Sequence, residues 1–199
     1  MTRLVIWRHG RTEFNATDRT QGHLDVDLDD AGVAQAVDAA PRLAAYRPDL
    51  IVSSDLRRAT RTAEPLAALT GLPVDLDVRL RERYFGPWQG LTNAEIRERY
   101  PDQYPHLGSA AEVGDLDIET IDDMAKRVGA AFRDVAERVG PGGTAVLVTH
   151  GGTARVGCGS LLGLPPEVWH TLGGLGNCHH SELRHTPVRG WQLITHNLP

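Results

Sequence analysis

Lysine is almost missing from this chain. Among 199 residues there is one, Lys126, so nearly all of the 21 basic side chains are arginines. High-GC coding bias would produce such a skew, and by itself it assigns no function. Cysteine is as scarce: Cys158 and Cys178 fit no CxxC pattern and read as free thiols, which excludes a disulfide framework. No apolar run reaches 18 residues, so no transmembrane helix is expected. The opening "MTRLVIW" is too short, and too soon interrupted by Arg8, to act as a signal peptide, and a cytoplasmic protein is expected. Positive charge is not in excess: net charge is −5, which argues against a nucleic-acid or anionic-membrane partner. No HExxH or HxH spacing occurs, so no metal and no cofactor are expected.

What is present is a globular composition, 41% hydrophobic and 24% charged, in a length suited to one domain over 1–199. "RLVIW" (3–7), "DLIVSS" (49–54), "LPVDLD" (72–77) and "TAVLVTH" (144–150) read as strands, and "CHHSELRH" and "WQLITH" as one or two more in the tail. A loop is expected from the first strand through Gly22. Helical spacing marks residues 29–46, with Asp29 or Asp30 as N-cap and a kink or break at Pro41. Leu56, Ala59, Ala63, Leu66 and Ala67 share one face of the next helix, and Gly71 stops it. "TNAEIRERY" is a short helix before Pro101. The stretch 101–118 looks like a loop, part of a partial lid around 84–120. A long helix then opens on a Thr120…Asp123 capping box, and "GGTARVGCGSLLGL" is the last helix. Strands alternating with helices imply an α/β fold, a three-layer α/β/α sandwich around a mostly parallel sheet.

In such sheets ligands bind beyond the carboxyl ends of the strands. The first strand ends in Arg8-His9-Gly10. The second ends in Ser53-Ser54 and enters a helix bearing Arg57, Arg58 and Arg61. The fourth ends in His150-Gly151-Gly152. Arginine forks match phosphate oxygens, helix N-termini add N–H donors, and glycines admit a close approach. One histidine alone is more often a hydrogen-bonded structural ring, and Arg57 and Arg61 more often solvated helix charges. Order and placement make the set an expected pocket for a compact anion. Arginines on both sides of His9 should oppose its protonation.

The segments "LVIWRHGRTEFN", "TQGHLDVDLDDAGVAQA", "SSDLRRATRTAE", "LRERYFGPWQG" and "VLVTHGG", in this order from residue 3 to about 152, resemble the successive motifs of the histidine phosphatase (phosphoglycerate mutase-like) superfamily. Within it, "DLRRA", "LRERYFGPWQGLT" and "LGGLGN" are most similar to actinobacterial phosphatases of glycosylated phosphoglycerates. The resemblance implies a phosphoglycerate mutase-like fold and a metal-independent phosphatase of small phosphomonoesters. It makes His9 the nucleophile, with Arg8, Arg58 and His150 holding the transferred phosphoryl group. Asn15 falls at a phosphate-contacting position, Gln21 and Gly22 in the substrate loop, Gly151 beside the second histidine, and Glu82 at the proton donor.

Gln89 stands where many members carry Glu, and Ile118 replaces a glycine often found before the long helix. The alternative activity is cofactor-dependent mutase transfer. Residues 101–120 hold no Lys or Arg but do hold Asp102, Glu112, Asp115, Asp117 and Glu119, and such an acidic mouth would disfavour bisphosphates. Three rivals carry less. Cys178 to Arg184 has C-x5-R spacing, but "CHHSELR" lacks the glycines of a thiolate phosphate loop and alternates like a strand. A metal hydrolase would place a cation beside arginines. A non-catalytic phosphate-binding module would have lost His9, Arg58, Glu82 or His150. His179, His180, His185 and His196 read as ordinary strand or surface residues. Trp7, Trp88, Trp169 and Trp191 could line the pocket, form a homodimer contact or fill the core, of which core packing is the expectation.

Overall fold

A computed structural model describes residues 1–106 and 116–199, with no account of the side chain of His106. Six strands form one sheet in the order β3-β2-β4-β1-β5-β6, where β1 is Thr2–Arg8, β2 Leu50–Ser53, β3 Val74–Leu76, β4 Thr144–Thr149, β5 His180–Thr186 and β6 Gly190–Leu198. The four strands β3, β2, β4 and β1 run parallel, and β5 and β6 add an antiparallel edge. The expected "mostly parallel" sheet is this one.

Both faces of β1, β2 and β4 are buried, as continuous apolar runs require. Leu4, Ile6, Val52, Ala145 and Leu147 face one core, shared with Val128, Phe132 and Val135 of helix α5 (Ile121–Val139) and with Ala154 and Cys158 of α6 (Gly151–Leu161). Their alternates Val5, Trp7, Ile51, Val146 and Val148 face the other, against Ala36, Ala39 and Leu43 of α2 (Asp30–Ala44) and Ala59, Ala63 and Leu66 of α3 (Arg57–Thr70). A third cluster joins Trp88 and Ile96 of α4 (Asn93–Arg99) to Phe85, Leu116 and Ile118. Trp7, Trp88 and Trp169 are core residues, as expected, whereas Trp191 is half-buried on β6 beside the ring of His185.

Three expectations change. The loop after β1 holds a short helix, α1 (Glu13–Ala16), closed by a capping box between Thr12 and Asn15. The long helix α2 runs through Pro41 without a break. Proline there removes only the hydrogen bond to Val37, whose residue is exposed so that water can take its place, and one turn later the helix ends anyway. In the 101–118 stretch, Tyr104–His106 form a turn of 3-10 helix, while Glu112 and Asp115 lie outside the described residues. Asp29 is the N-cap of α2 and accepts from Gly32 N at 2.8 Å. Gly71 ends α3 with φ of +72°, a conformation open to glycine at little cost.

The start of α2 is pressed against the segment that follows β1. A Cβ on Gly32 would lie 2.0 Å from the Arg11 carbonyl oxygen, and one on Gly10 would lie 2.5 Å from the Gly32 oxygen. Here backbone meets backbone, so no side chain can yield. Gly32→Ala should therefore cost about 1–3 kcal/mol of stability, as overpacking does, and should also lower turnover by moving the His9 segment. Urea unfolding and initial rates on one preparation check this, and unchanged rates would mean that the helix does not set that segment's place.

Candidate active site

The ends of β1 and β4 lie side by side, since Arg8 pairs with Thr149 in the parallel register. His9 and His150 therefore follow as neighbours, with ring centroids 5.2 Å apart. Both are buried. His9 Nδ1 lies 2.7 Å from the Gly10 carbonyl oxygen. A carbonyl can only accept, so Nδ1 carries a proton, and with burial and the arginines opposing a second one Nε2 keeps its lone pair. Arg58 Nε donates to His150 Nδ1 at 3.2 Å, which leaves the proton of His150 on Nε2, shared with Ser54 Oγ at 2.8 Å. Each ring is thus neutral in a defined tautomer.

Two guanidinium groups share this buried space. Arg58 is fully buried and also donates to the carbonyls of Gly22 and Leu24, both at 2.7 Å. Gly22, at φ +52°, turns the chain so that its carbonyl meets the arginine. Arg8 donates to the Leu175 carbonyl, while its Nε is buried without a partner among the described residues, near Gly151 at the start of α6. Burial brings the Arg58 guanidinium down to about 10 and lowers Arg8 also, with Glu82 opposing both shifts. A buried N–H without an acceptor is costly, and an anion at the N-terminus of α6 would supply one.

Glu82 closes the other side. Its Oε2 accepts from Gly152 N at 2.9 Å, in the first turn of α6, and its Oε1 from Arg83 N at 2.9 Å. A Cβ on Gly152 would lie 2.4 Å from Glu82 Oε1, so glycine makes room for the carboxylate. Asn15 sits at the end of α1 with its Oδ1 turned to Thr12. Gln21 is buried, and its Oε1 has no partner among the described residues. The residues named from the sequence, Arg8, His9, Asn15, Gly22, Arg58, Glu82, His150 and Gly151, thus surround one edge of the sheet.

The histidine phosphatase superfamily (branch 1) profile matches residues 4–199. The chain belongs to that superfamily. It is 42% identical to glucosyl-3-phosphoglycerate phosphatase of Mycolicibacterium vanbaalenii, over 94% of this chain and 87% of the relative. It is 38% identical to the metal-independent phosphoserine phosphatase of Arabidopsis thaliana, over 78% of this chain and 66% of that protein. The solved structure of mycobacterial glucosyl-3-phosphoglycerate phosphatase in complex with VO3 superposes with a TM-score of 0.88, at 40% identity over 99% of each chain.

Against this superfamily frame several expectations need correcting. Arg11 does not flank the His9 ring: it is exposed and paired with Asp29 at 2.8 Å, and the second cation near His9 is Arg58. Glu119 adds no free charge to a mouth, because Arg127 of α5 takes both its oxygens. Gln89, where many members carry Glu, braces the expected substrate loop by accepting from His23 N at 2.6 Å. Arg57 and Arg61 are outside the site, as expected, paired at the surface with Asp25 and with Asp27 and Glu64. Burial pushes the Cys178 thiol up to about 12, so it is no thiolate nucleophile. Among the described residues no group of three or more His, Cys, Asp or Glu could hold a metal ion, and no helix is long and apolar enough to cross a membrane.

Other supports escaped the sequence reading because they act through the backbone. Arg127 donates to the carbonyls of Arg79 and Arg81 at 2.8 Å and of Glu82 at 3.0 Å, and Thr149 and Thr153 hold Leu80 and Arg81. His23 Nε2 also reaches the Glu82 carbonyl, at 2.8 Å. A basic residue two turns into a long helix carries no sequence mark of such a task.

Burial, then Arg58 and Arg8, holds His9 well below its ordinary value, and burial with Arg58 does the same for His150. The unfolded chain takes up protons near pH 6.5 while the folded one does not, so stability is full above that pH and is lost as pH falls. Each histidine should contribute a slope of about 1.4 kcal/mol per pH unit between the two values. Denaturant unfolding from pH 7.5 to 5 checks this: His9→Asn should flatten the slope, and an unaltered slope would mean that His9 titrates alike in both states.

Proposed function

We propose that the protein is a metal-independent phosphatase that hydrolyses phosphomonoesters of small metabolites, sugar phosphates or glycosyl-phosphoglycerates among them, through a phosphohistidine on His9. The carrying observation is the His9 tautomer: Nδ1 is tied to Gly10, and in a buried ring beside Arg58 and Arg8 this leaves Nε2 unprotonated. Nε2 attacks phosphorus and the ester P–O bond breaks. Arg8 and Arg58 take the charge of the equatorial oxygens, where catalysis of phosphoryl transfer mostly lies. The Nε2–H of His150 adds a neutral donor by exchanging Ser54 for a phosphoryl oxygen. Glu82 gives a proton to the departing alkoxide, then takes one from the water that attacks phosphohistidine and releases orthophosphate. The relative solved with VO3 and the relatives named as phosphatases support hydrolysis over mutase transfer.

Phosphate release should survive excess EDTA, and a strict requirement for added Mg²⁺ would overturn the reading. Glu82→Gln keeps the shape but carries no proton. General acid–base help is typically worth ~10²–10⁴-fold, so turnover of alkyl phosphates should fall by that order. Nitrophenyl phosphate, whose leaving group departs as an anion, should lose less in its first step. Equal losses for both substrates would take the proton-donor role from Glu82.

A further inference from the structure

One segment touches both the nucleophile and its neighbours yet has no role so far. The stretch 175–179 lies as a strap across the end of β1. Cys178 N donates to the carbonyls of Arg8 and His9, Arg8 N donates to His179 O at 3.0 Å, and Trp7 Nε1 reaches Cys178 O at 3.0 Å. Within the strap, Asn177 places both hydrogens of its amide. Its Nδ2 donates to the His9 carbonyl at 3.1 Å and to Asn15 Oδ1 at 3.2 Å.

The backbone decides the direction of these bonds. His9 O can only accept, so Asn177 must present its NH2 group. Thr12 N can only donate, and it lies 3.2 Å from the Asn15 amide, so Asn15 must present its oxygen. Thr12 Oγ1 gives that oxygen another donor at 3.1 Å. With Oδ1 held by Thr12 and Asn177, Asn15 has its Nδ2 turned away from them, with no protein partner among the described residues. A free NH2 group is what an anion requires.

We propose that Asn177 is a positioning residue: its amide couples the His9 backbone to Asn15 and so presents Asn15 Nδ2 as a donor to the phosphoryl oxygens. This rests on the phosphatase reading given above, in which His9 and Asn15 meet the same phosphoryl group. Asn177 itself forms and breaks no bond. An acid in its place would set a carboxylate oxygen against two acceptors, His9 O and Asn15 Oδ1. Asn15 would then lose its fixed orientation. Protonation of that acid would restore one donor.

The test uses the full chain, with inorganic phosphate as probe, and compares each variant with the wild type at the same pH so that the ionisation of phosphate cancels. For Asn177→Asp at pH 7.5, phosphate affinity and kcat/KM should fall about tenfold or more. At pH 5 the deficit should shrink several-fold. Asn177→Ala removes both donors without adding charge, and its smaller deficit should not change with pH. A deficit in Asn177→Asp that is equal at both pH values, or phosphate affinity within twofold of wild type at pH 7.5, would overturn the proposal. Should Asn177→Asp fail to fold, Asn177→Ala decides: a several-fold loss of phosphate affinity supports the role and none removes it. If the wild type released no phosphate from any monoester, the phosphatase reading would fall, while the phosphate titrations would still judge Asn177.

Discussion

Arg58 is buried and Arg8 half-buried where β1 and β4 end, with no carboxylate bonded to either among the described residues, and the rest of the site follows from that. Arg58 and Arg8 spend several of their N–H groups on carbonyls of Gly22, Leu24 and Leu175 rather than on acids. Carbonyls relieve the desolvation without neutralising the charge. The cationic field is therefore kept for something else, and it adds to burial in holding His9 and His150 neutral. Had an aspartate paired with either arginine, the anion pocket would be filled by the protein itself.

The fold provides this at modest structural expense. Parallel strands β1 and β4 end in register, so two histidines that are far apart in sequence become neighbours. Helix α6 starts directly after His150, and the Gly152 N–H in its first turn donates to Glu82. At Gly10 and Gly32 backbone segments come too close for any Cβ, and at Gly152 a Cβ would push the Glu82 carboxylate from its place. Charge, tautomer and backbone approach thus depend on one another, and a change in one disturbs the others.

Much of this was legible in the sequence, because strand ends are. Apolar runs closing on Arg8-His9 and on His150-Gly151 place the histidines before any coordinates are known. Arg58 could be told from Arg57 and Arg61 only through the superfamily resemblance; the structure adds that its position on α3 faces inward. The local rules failed where long-range packing decides. Pro41 was expected to kink or break α2, and the helix continues through it, because it is nearly over and Val37 is exposed to solvent. Arg11 was expected beside His9 and is drawn off by Asp29. The acidic residue Glu119 was expected at a mouth and is bound to Arg127. Arg127 left no signal, since it works through carbonyls; Ser54 and Asn177 lie in stretches the sequence marks, "SSDLRRATRTAE" and "LGGLGN", but their tasks, on a ring and a carbonyl made their neighbours by the sheet, are not legible there.

The central claim is that His9 carries the phosphoryl group. Mixing enzyme with an excess of ³²P-labelled phosphomonoester, quenching in base within one turnover and mapping the labelled peptide tests it most directly. The account predicts an acid-labile, base-stable label on the peptide containing His9, absent in His9→Ala together with turnover. Label on Cys178 or on a serine, or undiminished turnover in His9→Ala, would contradict it.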